Sequence, residues 1–470
     1  MKEESNRRVF VFCIGGTGLR VMKSIVMLLA AGYSTKGYTL VPILIDPHQD
    51  LTEKTELDKL IDDYRKIYNK VTDHDAQPAL KGFFGTKLQR LEELDALQNP
   101  TNENSMADQR PFTEYLNLVP VDKQDINQFL VQSLYSERNL NSKLSVGFKG
   151  NPNVGTVVLN DMIGSSDWFE GVQRHCEKND RIFIIGSIFG GTGASGYPLL
   201  EKKIRDSIGY PKLQKAVMGA VVVLPYFALK DPATTGSDID SANFVTKAKA
   251  ALGYYEHTVK SDYLYYIGES ELRESYQNDE IIQDNPAHFI ELVAATAMFH
   301  FLELDRPETT QYYSRAIREN KTVVDLSSAG DSYSGVVKAL TDMKLLTELT
   351  EFIQGERSFP LKKTHGLTED FYANADYAQL LKGMLDRFAT WYKQLSHNNR
   401  AFNPLNMECD KMKQPVTGIS VHATRPQYVL EMIKKAYNAS KDEQSLQLPM
   451  RHLLNYAYQA IDTYTRILLK

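Results

Sequence analysis

The chain has 470 residues, of which 42% are hydrophobic and 24% are charged, a composition typical of a globular protein with a large core. A net charge of −5 argues against binding to nucleic acid or to an acidic membrane surface. The three cysteines are widely separated, which excludes a cysteine metal cluster and favours a reducing compartment. Because the apolar runs are too short to span a bilayer, we expect a cytoplasmic protein with no membrane insertion.

The N-terminal segment follows the order strand, glycine turn, helix and strand. Val9–Ile14 is a continuous apolar run, Gly15–Gly18 predicts a tight turn, and Leu19–Ala31 predicts a helix that ends at Gly32. A second buried strand then leads to Asp46. Continuous rather than alternating apolar strands indicate a parallel sheet covered on both faces, so this segment predicts the start of a doubly wound α/β domain.

The middle of the chain leaves this pattern and then returns to it. Residues 53–141 are polar and charged with a helical pattern, and they predict a helical insertion on which a protein partner could dock. Strands are predicted at 180–187, 215–227 and Asp262–Gly268, with a helix over about 197–208 and a second helix before the last strand. This alternation again indicates a mostly parallel sheet.

The last third of the chain is helical at both of its ends. A long apolar central helix follows Asn285, and we assign residues 285–305 to it. Amphipathic helices and a strand over 306–470 predict a smaller α+β domain. The predicted architecture is an α/β domain over 1–284 with a doubly wound, mostly parallel sheet, joined by the central helix to this C-terminal domain.

Two glycine clusters, Gly15–Gly18 and Gly190–Gly193, each follow a buried strand and precede a helix. In a parallel sheet both clusters lie at the carboxyl edge, where ligands bind. Glycine lets a ligand approach the backbone, and a helix N-terminus offers N–H groups and the positive end of the helix dipole. The clusters, with the hydroxyls of Thr17, Thr192 and Ser195, therefore predict a phosphate site, although no GxxxxGK[ST] motif is present.

Further motifs follow the ends of the other strands. "IDPHQDL" contains Asp46 and Gln49, "GFKGNPNVG" spans Gly147–Gly155, "VVVLPYF" contains Pro225, and Asn285 precedes the central helix. In this order, and with "CIGGTGLR" and "FGGTGASGYP", the motifs resemble those of the tubulin/FtsZ superfamily over about residues 8–302. The resemblance does not extend to the insertion. The joint order of the motifs is more specific than any single motif.

The resemblance implies that GTP or GDP binds at these loops together with Mg²⁺, and that Asn285 contacts the guanine. Two positions of the signature glycine loop are replaced, by Phe189 and Ser195, and Arg20 stands near the position of an asparagine that contacts the base in the family. The sequence therefore does not decide whether the base of the nucleotide is guanine or adenine. The residues assigned to the nucleotide site are Gly15, Gly16, Thr17, Gly18, Arg20, Asp46, Gln49, Gly147, Gly150, Asn151, Gly190, Gly191, Thr192, Gly193, Pro225 and Asn285.

The resemblance also implies head-to-tail self-association into a filament, with GTP hydrolysis at the junction between subunits. The family carries carboxylates in an NxDxxD-like run after the central helix, where they complete the active site of the neighbouring subunit. This chain has no such run, and Glu303, Asp305 and Asp325 are the candidate catalytic acids. Whether the protein is an enzyme is therefore left open by the sequence.

Two other functions stay open. A non-polymerising nucleotide sensor or scaffold on the same fold is favoured by the missing NxDxxD run and by the insertion. A nicotinamide-dependent oxidoreductase would use "IGGTG", but this class leaves "FGGTGASGYP" and "GFKGNPNVG" unexplained. The sequence also lacks a Tyr-x-x-x-Lys motif at the place where a short-chain reductase needs it.

Overall fold

The structure is a computed structural model of the chain. It describes residues 7–47, 52–72, 82–95, 111–118, 126–142, 144, 148, 150–164, 166–229, 241–269, 275–276, 285–316, 323–324, 334–355, 366–398, 400–405 and 448–468. Of the residues assigned to a site from the sequence, Gln49, Gly147 and Asp325 lie outside these ranges.

A six-stranded, all-parallel sheet lies at the centre of the molecule. Its strands are β1 (Arg8–Ile14), β2 (Thr39–Ile45), β3 (Arg181–Ser187), β4 (Val217–Val223), β5 (Tyr263–Gly268) and β6 (Gln311–Ala316). The strand order is β2-β1-β3-β4-β5-β6, so the chain moves outward from β1 to β2 and then continues on the other side of β1. In open α/β sheets such a reversal forms a crevice at the carboxyl ends of the strands, and ligands bind there.

The longer helices lie between the strands and after the last strand of the sheet. They are α1 (Gly15–Ala30), α2 (Thr52–Val71), α3 (Ile126–Leu134), α4 (Pro152–Gly164), α5 (Asp167–His175), α6 (Gly191–Arg205), α7 (Phe244–Thr258), α8 (Phe289–Glu303), α9 (Ser334–Gly355), α10 (Lys382–His397) and α11 (Pro449–Leu468). Short helical segments lie at Glu92–Asp95, Phe112–Tyr115, Glu137–Leu140, Pro211–Gln214, Ser241–Asn243, Glu369–Ala373 and Asp376–Leu381. Two-residue strands pair Ala228–Leu229 with Ser275–Tyr276, and Val323–Val324 with Ala401–Phe402. None of the helices in the described part of the chain is long and apolar enough to cross a membrane.

The sheet separates two hydrophobic cores. Val9, Val11 and Cys13 of β1 point into one core, together with residues of α1, α2 and α8. Phe10 and Phe12 point into the other core, together with residues of α4, α5, α6 and α7. Successive strand residues face opposite sides, so a strand that is buried on both faces must be apolar throughout. The predicted α/β class with a parallel sheet is confirmed.

The glycine clusters form helical turns rather than the separate turns that the sequence predicted. Helix α1 begins at Gly15 and α6 begins at Gly191, so the predicted helix starts at Leu19 and near Tyr197 were wrong. Glycine destabilises the interior of a helix. These glycines lie in the first turn, where the backbone N–H groups have no intrahelical acceptor. Gly15 has a φ of +71°, in the left-handed region that favours glycine.

The region that the sequence assigned to the insertion begins with α2, and α2 is part of the main core. Leu57, Ile61 and Tyr64 are buried against the side of the sheet that α1 covers. The helix carries many charges, but its apolar residues recur at helical spacing and form one buried face. The first part of this region is therefore a layer of the fold.

The described C-terminal helices extend the core of the first face instead of forming a hydrophobic core of their own. Leu346 of α9, Trp391 of α10 and Leu454 of α11 belong to the same cluster as α1, α2 and α8. The sheet itself also continues past residue 306, because β6 pairs with β5. We call the described helices α9, α10 and α11 the C-terminal helical layer, and the smaller α+β domain over 306–470 stays a prediction.

This shared core predicts a single cooperative unfolding transition. Leu346 is fully buried, so Leu346→Ala should lower the free energy of unfolding by about 2–5 kcal/mol. Glu351→Ala, an exposed position on the same helix, should change it by less than about 0.5 kcal/mol. Urea unfolding followed by circular dichroism measures both values. Two separate transitions, only one of them shifted by Leu346→Ala, would contradict the shared core.

Candidate functional site

The two glycine clusters meet at the carboxyl edge of the sheet, at the point where the strand order reverses. Helix α1 starts directly after β1, and α6 starts just after β3. A β-carbon added to Gly15 would lie 3.3 Å from Cβ of Thr192 and 3.6 Å from the backbone nitrogen of Gly193. The N-termini of α1 and α6 are therefore in contact across the crevice.

The N-terminus of α4 joins them. A β-carbon added to Gly191 would lie 2.8 Å from Cβ of Phe148 and 3.2 Å from the backbone nitrogens of Gly150 and Asn151. Pro152 follows as the first residue of α4, a position that proline favours. We call the three converging segments, Gly15–Gly18, Gly150–Asn151 and Gly190–Gly193, the glycine cradle.

The electrostatics of the glycine cradle favour an anion. The N-cap residues of α1 and α6 are Ile14 and Gly190, and no side chain caps either helix. Neither helix carries an acidic residue in its first turn. The first N–H groups of a helix lack an intrahelical acceptor and carry the positive end of its dipole. Two such ends in contact form a site suited to phosphate or another anion.

Two of the glycines serve backbone packing rather than ligand approach. A β-carbon on Gly193 would lie 2.5 Å from the backbone oxygen of Ser187, and one on Gly18 would lie 2.8 Å from the carbonyl carbon of Cys13. A larger residue at either position would push the helix away from the sheet. Gly16, Gly190 and Thr192 are instead partly exposed, so these residues are the accessible part of the cradle.

The two replaced positions of the signature loop have structural explanations. The ring of Phe189 is buried, with its centroid 5.4 Å from that of Phe227 and 4.9 Å from that of Phe244. The hydroxyl of Ser195 donates to the backbone oxygen of Gly191 at 2.7 Å. Ser195 was expected to donate to a phosphate, but its hydroxyl is buried and bonded within α6.

A lysine that the sequence analysis missed lies at the cradle. Nζ of Lys247, on α7, donates to the backbone oxygen of Gly150 at 2.9 Å. A lysine at this position adds positive charge beside three helix N-termini. No local motif marks Lys247, because its distance from the cradle is set by how α7 packs on α6 and α4.

Arg20 lies one turn beyond the cradle, inside a cluster of buried polar side chains. Its Nε donates to Oε1 of Glu291 at 2.8 Å, and its Nη1 lies 3.2 Å from both carboxylate oxygens of Glu53. Its Nη2 donates to the Tyr226 hydroxyl at 3.1 Å, and that hydroxyl donates to Glu291 at 2.7 Å. We call Arg20, Glu53, Tyr226 and Glu291 the arginine cluster.

The arginine cluster is held in place by the start of α8. Nδ1 of His288 accepts from the backbone N–H of Ile290 at 3.1 Å, and Oε2 of Glu291 accepts from the backbone N–H of His288 at 3.1 Å. This reciprocal capping fixes the carboxylate that faces Arg20. Burial, with the nearby guanidinium groups, lowers the pKa of His288 to about 3, so the ring is neutral and Nδ1 can accept.

A cavity of about 610 Å³, which we call the main cavity, opens beside the arginine cluster. Its walls are α1, α2, the segment that leads into α8, and α10. Arg20 connects it to the cradle, because Nη2 of Arg20 lies 3.5 Å from Oγ1 of Thr17. The polar residues of its wall are Arg20, Lys23, Thr52, Glu53, Glu56, Lys59, Asn285, Glu291, Arg387, Thr390 and Gln394.

The other residues of the predicted site lie on the same edge of the sheet. Ile14 and Ile45 pair in register, so the buried Asp46 follows β2 at the level where Gly15 follows β1. Pro225 follows β4 and directly precedes Tyr226 of the arginine cluster. The structure therefore brings together the described residues that the sequence assigned to nucleotide binding, from Gly15 to Asn285, at the carboxyl edge.

Two of the candidate catalytic acids, Glu303 and Asp305, lie at the opposite edge, and Asp325 lies outside the described residues. Glu303 ends α8, and its carboxylate lies 3.0 Å from Nζ of Lys36, with both side chains about half exposed. The backbone oxygen of Asp305 accepts from the hydroxyl of Tyr263, at the start of β5. Helix α8 has 15 residues and is therefore about 22 Å long, so these acids cannot reach the cradle of their own chain.

Comparison with known proteins adds no family to this description: no protein-family model and no curated protein sequence matches the chain. Among the described residues there is also no group of three or more His, Cys, Asp or Glu side chains placed to hold a metal ion. The arrangement found is a group of converging helix N-termini beside a cavity whose wall carries both charged and apolar side chains. It suits a ligand with a phosphate chain at one end and a polar ring system at the other.

Glu53 makes stability depend on pH. Burial raises its pKa to about 7, although Arg20 opposes this shift. The folded state then keeps a proton that the unfolded chain releases near pH 4.5, so the free energy of unfolding should fall as the pH rises from about 4.5 to 7. The fall should be up to about 3 kcal/mol.

Denaturant unfolding between pH 4 and 8 measures this dependence. Glu53→Gln should remove this part of the slope, because glutamine does not titrate. Glu56→Gln, a neighbouring exposed carboxylate on α2, is the matched control and should keep the slope of the unaltered protein. An unchanged slope in Glu53→Gln would show that Glu53 ionises alike in both states.

Proposed function

We propose that the protein is a tubulin/FtsZ-like nucleotide-binding protein that binds GTP or GDP in the crevice between β1 and β3. The observation that carries the proposal is the convergence of three helix N-termini, those of α1, α4 and α6, at the point where the strand order reverses. Phosphate groups bind at such N-termini through backbone N–H groups and the helix dipole. Lys247 adds a positive charge, and Mg²⁺ bound through phosphate oxygens would neutralise part of the remaining charge.

The main cavity supports the placement of the base. It begins one helical turn from Gly16, and its volume of about 610 Å³ lies in the range of small-molecule sites. Asn285, which the resemblance assigns to the base, is part of its wall. The cavity wall also contains the carboxylate of Glu53, which can accept from N–H groups of a purine.

Head-to-tail assembly with hydrolysis at the junction is the second part of the proposal. Glu303 and Asp305 lie at the edge of the sheet opposite to the cradle, about a helix length away. They can meet a phosphate only if the carboxyl edge of one subunit faces the amino edge of the next. A contact of this heterologous kind repeats along a line and forms a filament when it does not close.

One observation favours the alternative, a non-polymerising nucleotide-binding sensor or scaffold on the same fold. The carboxylate of Glu303 already pairs with Lys36 of the same chain at 3.0 Å. While this carboxylate is held by Lys36, it is not free to orient a water molecule at a neighbouring cradle. The pair is half exposed, so its contribution to stability is small and a neighbouring subunit could displace it.

Gly190→Asp tests the cradle without disturbing the fold. Gly190 is the N-cap of α6 with an extended backbone, and aspartate is a favoured N-cap residue there. Its carboxylate would accept from the first N–H groups of α6 and would repel a phosphate. We expect GTP affinity to fall by about 100-fold or more, with no loss in the free energy of unfolding.

Calorimetric titration with GTP measures this effect. Gly190→Asn is the matched control: it caps the helix without a charge and should weaken GTP binding by only about tenfold. The added β-carbon meets just the rotatable Ser187 hydroxyl, at 3.1 Å. Native GTP affinity in Gly190→Asp would place the phosphates elsewhere.

Mixing two inactive variants tests hydrolysis at the junction. Gly190→Asp keeps its acids but cannot bind GTP, whereas the double variant Glu303→Ala/Asp305→Ala binds GTP but should turn it over about 100-fold more slowly. If the acids act on the neighbouring subunit, a mixture regains phosphate release, because the acids of one variant meet the cradle of the other. A mixture as inactive as its components would contradict catalysis between subunits.

A further inference from the structure

Helix α10 forms one wall of the main cavity, although it lies about a hundred residues beyond the last motif of the predicted site. Arg387, Thr390, Trp391 and Gln394 of α10 line the cavity, opposite Arg20 of α1. Thr390 is exposed at its rim, whereas Trp391 is almost fully buried. A ligand in this cavity would therefore lie between the sheet domain and the C-terminal helical layer.

The end of α10 also holds the segment that carries Asn285. Oε1 of Gln394 accepts from the backbone N–H of Ala287 at 3.2 Å, and Nδ2 of Asn398 donates to the backbone oxygen of Ala287 at 3.3 Å. The backbone N–H and the backbone oxygen of Ala287, two positions after Asn285, are thus both hydrogen-bonded to side chains of α10 and its C-cap. We call Gln394 and Asn398 the amide pair.

Two further contacts keep the amide pair against this segment. The ring of Phe402 stacks on that of Phe289, the first residue of α8, with centroids 4.8 Å apart. The guanidinium of Arg400 lies 2.6 Å from the carboxylate of Glu269, and both side chains are almost fully buried. The chain after α10 is therefore anchored to the end of β5 and to the start of α8.

We propose that α10 is part of the nucleotide site: the purine base of a bound nucleotide contacts Thr390 and Gln394, and the amide pair positions Asn285 toward it. This inference rests on the proposed function, and it assigns base recognition in part to the C-terminal helical layer. The amide pair acts as a set of positioning residues, because it orients Asn285 through the backbone of Ala287. The phosphates, by contrast, bind at the cradle beside Lys247 and do not contact α10.

This division of roles gives a test with two probes. GTP carries both a base and phosphates, whereas inorganic tripolyphosphate carries only the phosphates. Gln394→Leu should weaken GTP binding about fivefold, the effect of losing one hydrogen bond, and leave tripolyphosphate binding unchanged. Gln394→Glu keeps an oxygen acceptor for Ala287 N–H, so its GTP affinity should fall less than that of Gln394→Leu.

A steric variant supplies an independent arm. Thr390→Phe places a ring at the exposed rim of the cavity, where it does not disturb the core, and should weaken GTP binding by at least about tenfold. Lys393→Phe, an exposed position of α10 outside the cavity wall, is the matched control and should bind GTP normally. Tripolyphosphate binding should be the same in both variants.

The outcomes separate this inference from the proposed function. If Gln394→Leu and Thr390→Phe weaken GTP and tripolyphosphate equally, α10 has only a structural role and the inference is wrong. If neither variant weakens GTP binding, the base lies elsewhere and the inference is again wrong while nucleotide binding stands. If the unaltered protein binds neither probe, the proposed function fails and the inference fails with it.

Discussion

The arrangement depends on a close backbone contact that only glycine permits. Gly193 lies against the backbone of Ser187, and Gly18 against that of Cys13, with no room for a β-carbon at either place. Because α1 and α6 can approach the strands this closely, both helices begin directly at the strand ends and their N-termini meet where the strand order reverses. The packing that holds α1 and α6 to the sheet therefore also places the positive ends of both helix dipoles side by side at the carboxyl edge of the sheet.

The arginine cluster connects this edge to the rest of the first face. Arg20 joins α1 to α2 through Glu53 and to the start of α8 through Glu291, and Tyr226 completes the contacts. Two carboxylates face one guanidinium in a nearly buried setting, and burying charges is an inefficient source of stability. The cluster borders the main cavity, so under the proposed function its charges would lie beside the bound nucleotide.

The polarity of the molecule follows from the parallel sheet. All six strands point the same way, so every strand end that carries a glycine or acidic motif reaches one edge, and α8 returns the chain to the other edge. Glu303 and Asp305 are separated from the cradle for this reason and not by a local feature of their own loop. If subunits assemble head to tail as we propose, the cradle of one subunit would face the acids of the next.

The sequence by itself determined the α/β class, the buried parallel strands and the two glycine clusters, because continuous apolar runs and the order strand, glycine, helix are local signals. It did not show whether Gly193 serves packing or a ligand, since that depends on the backbone of a neighbouring strand end. Nor did it reveal that Glu291 would pair with Arg20, 271 residues away, or that Lys247 and Gln394 would reach the site. Only the tertiary structure decided these contacts, because strand order and helix packing bring together residues whose separation along the chain carries no signal.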